Sequence, residues 1–110
     1  KEKIMAIQNL DKSNIKEFIS SKPVAVVEVF APWCPHCKRF GPVFDAVAEE
    51  IGSGAAFGRV NSDENAELVD NLGVSGYPTV LYFKDSKLVD SVPGEAEKDS
   101  VVNKLKGLGA

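Results

Sequence analysis

The stretch Val24-Ala25-Val26-Val27-Glu28-Val29-Phe30 limits the possible folds of this chain more than any other. It is β-branched and apolar on both alternating faces, the pattern of a strand at the centre of a sheet and covered on each side. One carboxylate, Glu28, interrupts it, and burying a carboxylate is costly unless it is protonated, paired or water-bound. Past Ala31-Pro32-Trp33 the chain reads Cys34-Pro35-His36-Cys37-Lys38, which holds both cysteines and the only histidine. Phe40, Val43, Phe44, Val47, Ala48 and Ile51 then recur at the spacing of one face of an α-helix, ended by Gly52 and Gly54. Pro42 falls inside that helix and predicts a bend, because proline removes a backbone donor and crowds the preceding turn. The two thiols therefore sit at a turn between a buried strand and a helix.

The remaining segments supply partners for this strand. Ile4, Ala6 and Leu10 form a short opening strand. Asp11 or Ser13 offers an N-cap for a helix carrying Ile15, Phe18 and Ile19 and stopped before Pro23. Ala55 to Val60 reads as a strand, and Asn61 to Asn65 supply turn and capping residues for a helix with Ala66, Val69 and Leu72 inward, closed by Gly73. Thr79 to Phe83 and Lys87 to Val92 form a hairpin across Lys84-Asp85-Ser86, broken by Pro93-Gly94. Val101, Val102 and Leu105 mark a last helix. The order β-α-β-α-β-α-β-β-α implies an α/β fold, a mixed sheet with helices on both faces. With 110 residues and 44% hydrophobic content, a single domain over 1-110 is expected. Open α/β sheets place their sites at the carboxyl ends of central strands, where the cysteines lie.

Charge excludes some functions. Acidic and basic residues are interspersed and sum to -3, so no basic face for nucleic acid is expected. The longest apolar run falls far short of the roughly 20 residues that cross a bilayer, so no membrane span is expected. Lys1-Glu2-Lys3-Ile4 lacks the apolar core of a signal peptide, and position 1 is not Met. A cytoplasmic monomer is the expectation, or an oxidising compartment if an upstream signal peptide has been removed.

A bridge between Cys34 and Cys37 closes so small a loop that it contributes only roughly 2 kcal/mol of chain entropy. Redox or metal chemistry is the commoner use of so close a pair. A spacing of three brings both side chains to one helix face at a separation that suits a disulfide. A metal would find three ligands at most, with His36 as the third. If Cys34 is the N-cap, Pro35 fits the N1 position, and the free N–H groups of His36 and Cys37 point at the Cys34 sulfur. Those donors and the helix dipole favour thiolate, making Cys34 the attacking sulfur and the more buried Cys37 the resolving one. His36 is either an imidazolium that further stabilises the thiolate or an exposed polar residue. Trp33 is either a core aromatic or part of an apolar collar that receives unfolded segments. Gly94 either keeps the floor of that groove open or is a plain turn glycine.

The element order, the stretch Phe30-Ala31-Pro32-Trp33-Cys34-Pro35-His36-Cys37-Lys38, Pro42, and Gly76-Tyr77-Pro78-Thr79 together resemble the thioredoxin family over nearly the whole chain. Ala31-Pro32-Trp33-Cys34, Glu28 and Tyr77-Pro78-Thr79 look most like the catalytic domains of protein disulfide isomerase. The single-domain length is similar to a free thioredoxin. Pro35-His36 is like the dipeptide of the periplasmic disulfide oxidases, without their helical insertion. The resemblance implies a thioredoxin fold and a thiol-disulfide oxidoreductase that reduces, forms or isomerises disulfides in protein substrates, needing no organic cofactor or metal. It also implies a redox partner, a reductase or an oxidase, that recycles the pair. Glu28 becomes a proton acceptor for Cys37 through water, with Arg59 as its neighbour. Pro78 becomes a cis-proline facing the cysteines, which exposes the Tyr77 backbone to an extended substrate. Pro35, His36 and Lys38 tune the redox pair, and Trp33, Tyr77 and Gly94 receive substrate. A solvent-facing Glu28, and a binding or metal-carrier module whose cysteines are not catalytic, are the competing readings.

Overall fold

A computed structural model describes residues 7–110. Ten short elements follow in order: β1 (Ile7–Asn9), α1 (Ile15–Ile19), β2 (Val24–Phe30), α2 (Pro35–Ile51), a 3-10 turn (Gly52–Gly54), β3 (Ala56–Asn61), α3 (Ala66–Asn71), β4 (Thr79–Lys84), β5 (Lys87–Pro93) and α4 (Lys98–Gly107). The expected order is thus observed. Of the opening strand, Ile4 and Ala6 lie outside the described residues, and Leu10 directly follows β1.

The sheet runs β1-β3-β2-β4-β5, with β2 at its centre. β2 pairs in parallel with β3 and antiparallel with β4, so its backbone groups are satisfied on both edges. Its period-2 alternation divides the core into two layers. Val24 and Val26 pack with Phe40, Phe44, Val47, Val101 and Leu105 of α2 and α4. Ala25, Val27 and Val29 pack with Phe18, Leu68 and Val69 of α1 and α3 on the opposite face. Glu28 shares the α2 side by the same alternation and is buried at 1% exposure, which rules out the solvent-facing reading. α2 continues through Pro42, and Gly52, at φ 62°, ends it where a side chain would be strained.

Three local expectations need correction. Helix α1 starts at Ile15 with Asn14 as N-cap, because the Asp11 carboxylate is taken by the N–H and hydroxyl of Ser13. In α3 Leu68 and Val69 are buried and Leu72, just past its end, packs on the same layer as expected, but Ala66 is exposed, since a six-residue helix makes fewer than two turns. Pro93 closes β5 rather than breaking it, paired with Thr79 at the sheet edge where its missing N–H costs no ladder bond. The hairpin turn lies at Asp85 and Ser86, both left-handed with φ of 51° and 71°, the geometry that matches the twist of paired strands.

Candidate active site

Cys34 stands at the carboxyl end of β2's extension and caps α2, with φ -87°, ψ 120° and Pro35 in the first helical position. Its carbonyl accepts the Lys38 N–H at 3.1 Å, the first helical bond, and its own N–H donates to Ala31 O at 3.1 Å. Both sulfurs are free thiols, buried in a small cluster with Ala31, against which Phe30 and Tyr77 pack. The two thiols are driven apart. Burial raises Cys34, but the N–H and thiol of Cys37, the His36 N–H and the Arg39 charge outweigh it and lower the net value. Burial pushes Cys37 up to about 11, helped by its hydrogen bond to Cys34 and by the charges of Cys34 and Glu28, against the N–H of Ala31. Both residues are 6% exposed, so the expected deeper burial of Cys37 is not seen in surface exposure; the cap position, with its free N–H groups, sets Cys34 apart.

Across from the sulfurs runs the Tyr77-Pro78 loop, whose peptide bond is cis, as the resemblance implied. The Cys34 Sγ–H donates to Tyr77 O at 3.7 Å. Gly94 N–H donates to Pro78 O at 2.7 Å, and Gly94 itself is left-handed at φ 91°, with open space where a Cβ would stand. Trp33 is 64% exposed, so it is not a core aromatic. Its ring meets Tyr77 edge-on at 6.2 Å, and its Nε1–H donates to Asp63 Oδ1 at 3.1 Å. Tyr77 thus joins the Cys34 sulfur to the exposed Trp33 edge, and Pro78 joins the same loop to the open backbone at Gly94.

Beneath Cys37 lies a cavity of about 300 Å³ whose lining includes Glu28, Cys37, Lys38, Asp45 and Arg59. Phe30, Ala31, Pro32 and Pro42 make much of its wall apolar, and its size admits water beside the charged groups. Glu28 accepts a hydrogen bond from Arg59 Nε at 2.7 Å, and Arg59 Nη2 also reaches Gly41 O at 2.8 Å and Asp45 Oδ1 at 2.9 Å. Burial raises the Glu28 pKa despite the Arg59 bond and charge, which oppose it. A carboxylate held near Cys37 and more basic than usual is suited to accept a thiol proton.

Of the expected tuning residues, Pro35 holds the first helical position as expected, while the side chains of His36 and Lys38 face elsewhere. The His36 imidazole turns away to Glu95, Nδ1 lying 2.6 Å from Oε2, and it is the His36 backbone N–H that reaches Cys34. Lys38 lines the lower cavity, and the side-chain cation acting on Cys34 is Arg39. Arg39 and Glu95 carry little sequence signal: a basic residue at helical spacing from His36 is the one sign of the first, and nothing local marks the second. Among the described residues, no cluster of three His, Cys, Asp or Glu side chains is arranged to hold a metal ion. No described helix is long and apolar enough to cross a membrane.

The family model named Thioredoxin matches residues 6–107. Protein disulfide isomerase-like 1-3 of Arabidopsis thaliana is 35% identical over 97 residues, covering 88% of this chain and 17% of that protein. Thioredoxin 1 of Synechococcus elongatus is 33% identical over 90 residues, covering 82% of this chain and 84% of that protein. The chain therefore spans less than a fifth of the isomerase-like relative and most of the thioredoxin. The crystal structure of Malassezia sympodialis thioredoxin superposes with a TM-score of 0.85 at 26% identity, over 97% of this chain and 94% of that one.

Proposed function

This chain belongs to the thioredoxin family, and from that premise we propose that it is a thiol-disulfide oxidoreductase acting on disulfides of protein substrates through Cys34 and Cys37. The observation that carries the reading is the opposed pair of thiols in one helical turn, Cys34 lowered and Cys37 raised to about 11. A lowered thiol attacks, and a raised one waits until it is deprotonated.

An extended substrate segment lies against Trp33, Tyr77, Pro78 and Gly94, with its disulfide over Cys34. The Cys34 thiolate attacks one substrate sulfur. The substrate S–S bond breaks, a mixed disulfide forms, and the departing sulfur leaves as thiolate and takes a proton from water. Cys37 then gives its proton to Glu28, through water in the cavity they share, and attacks the Cys34 sulfur. The mixed bond breaks, the second substrate thiolate leaves, and two electrons have passed from the dithiol to the substrate. Run backward, the same steps oxidise a client; release and re-attack at another sulfur isomerises it. The relative potentials of the pair, its client and its recycling partner set the direction.

Trapping tests the assignment. With a disulfide-containing protein as substrate, Cys37→Ser accumulates mixed disulfides through Cys34, and Cys34→Ser accumulates none. Trapping by Cys34→Ser in place of Cys37→Ser reverses the roles of the sulfurs. Full exchange activity in Cys34→Ala sinks the reading and favours a binding module.

A further inference from the structure

Arg39, the cation that acts on Cys34, belongs to a cluster of charged side chains with His36 and Glu95. Arg39 Nε donates to the Glu95 carboxylate at 3.2 and 3.4 Å, and Arg39 Nη2 donates to Oε2 at 2.7 Å. His36 Nδ1 lies 2.6 Å from the same Oε2 and 2.8 Å from Arg39 Nη2. His36 and Arg39 are one turn apart on α2, whereas Glu95 comes from the β5–α4 connection. That connection is fastened where Gly94 donates to Pro78 O, beside the residues that face Cys34. One carboxylate therefore clamps two side chains of α2 to the opposite wall of the site.

A free arginine on an exposed helix face spreads its charge over many rotamers, and Arg39 is 60% exposed. Held through both Nε and Nη2, the guanidinium has one address. From there its charge is among the influences that favour the Cys34 thiolate. Glu95 in turn is held below the usual carboxylate range by the Arg39 bond and then by that to His36, so it is ionised at neutral pH.

We propose that Glu95 is a positioning residue of the thiol-disulfide reaction, fixing the Arg39 guanidinium on the α2 turn that follows Cys34 and thereby setting the reactivity and redox poise of the Cys34/Cys37 pair. The proposal rests on Cys34 being the attacking sulfur. Glu95 touches no reacting atom; it acts through Arg39. The sign follows from the thiolate belonging to the reduced state only. Releasing Arg39 destabilises that state, so the pair becomes easier to keep oxidised and its reduction potential falls.

The test compares the full chain with Glu95→Gln, Arg39→Gln and the double variant. Thiolate absorbance gives the Cys34 titration, equilibration with glutathione gives the potential, and mapping of the first alkylated cysteine identifies the reactive sulfur. The His36 and Cys37 N–H groups and the Cys37 thiol face Cys34 in all four proteins and form a common background. Each single variant should move the Cys34 titration up by about half a unit and shift the glutathione equilibrium about threefold toward the disulfide, the size of an exposed charge interaction. At roughly 30 mV per decade this is about 14 mV more negative. The double variant should shift no further than either single one, because Glu95 has nothing left to hold. A downward shift in Glu95→Gln, no shift, or additive effects in the double variant overturns the proposal alone. First alkylation at Cys37 in the parent overturns the functional reading and the proposal with it.

Discussion

Replacing Glu28 by Gln keeps the shape of a fully buried side chain and an oxygen for Arg59 Nε, yet removes the base beneath Cys37. Arg59 retains Gly41 O and Asp45, so the fold should persist. The cost falls on the resolving step. A thiol at about 11 is thiolate in only about one part in 10⁴ at pH 7. In the mixed disulfide the contributions of the Cys34 thiol and charge are gone, and in the variant that of Glu28 as well, which leaves burial as the main force holding the proton on. The thiolate fraction then lies between that figure and the roughly 3% of an unperturbed thiol. Without a positioned base the resolving rate at neutral pH should drop about 100-fold, the lower end of what general-base catalysis contributes. Rapid-mixing measurement of substrate thiol release from a preformed Cys34 mixed disulfide reads this step directly. The pH profiles should also part. In the parent the rate should fall only as pH drops through the raised Glu28 pKa, because a protonated carboxyl cannot accept. In Glu28→Gln it should rise about tenfold per unit across neutral pH, following the Cys37 thiolate itself. Equal rates and parallel profiles would show that Glu28 accepts no proton.

Two further predictions concern the platform. Gly58 lies mid-strand in β3, where an added Cβ would stand 2.5 Å from Leu10 Cδ1 and 3.0 Å from Phe18 Cζ; Gly58→Ala should cost about 1–3 kcal/mol by denaturant unfolding, and an unchanged midpoint would refute that close approach. Burial, and then the charge of Asp90, pushes Tyr82 up to about 12, so its stabilising contribution is complete below the unfolded value near 10 and lost as pH rises toward 12; unfolding free energies from urea titrations should fall less steeply over that window in Tyr82→Phe, by about 1–2 kcal/mol, and identical slopes would contradict the assignment.

The parts of this protein legible in its sequence are those whose signal is local. The apolar run of β2 marks a doubly covered strand, and its one carboxylate stands out because nothing around it is polar. Cys34, Pro35 and the helical spacing after them place the thiols at a helix N-terminus, because capping geometry and period extend over only a few residues. Short elements are less legible: the six residues of α3 carry too few positions for their period to separate Leu68 from Ala66. The partners of the thiols belong to the tertiary structure. Glu28 meets Arg59 because parallel register sets them side by side on β2 and β3. Tyr77 O reaches Cys34 from 43 residues away, and Glu95 reaches His36 and Arg39 from 59 and 56. Local pattern says which residues share a face; strand register and the path of the connections decide which faces meet. Burial in that assembled environment then pushes Cys37 up while the helix N-terminus and Arg39 bring Cys34 down.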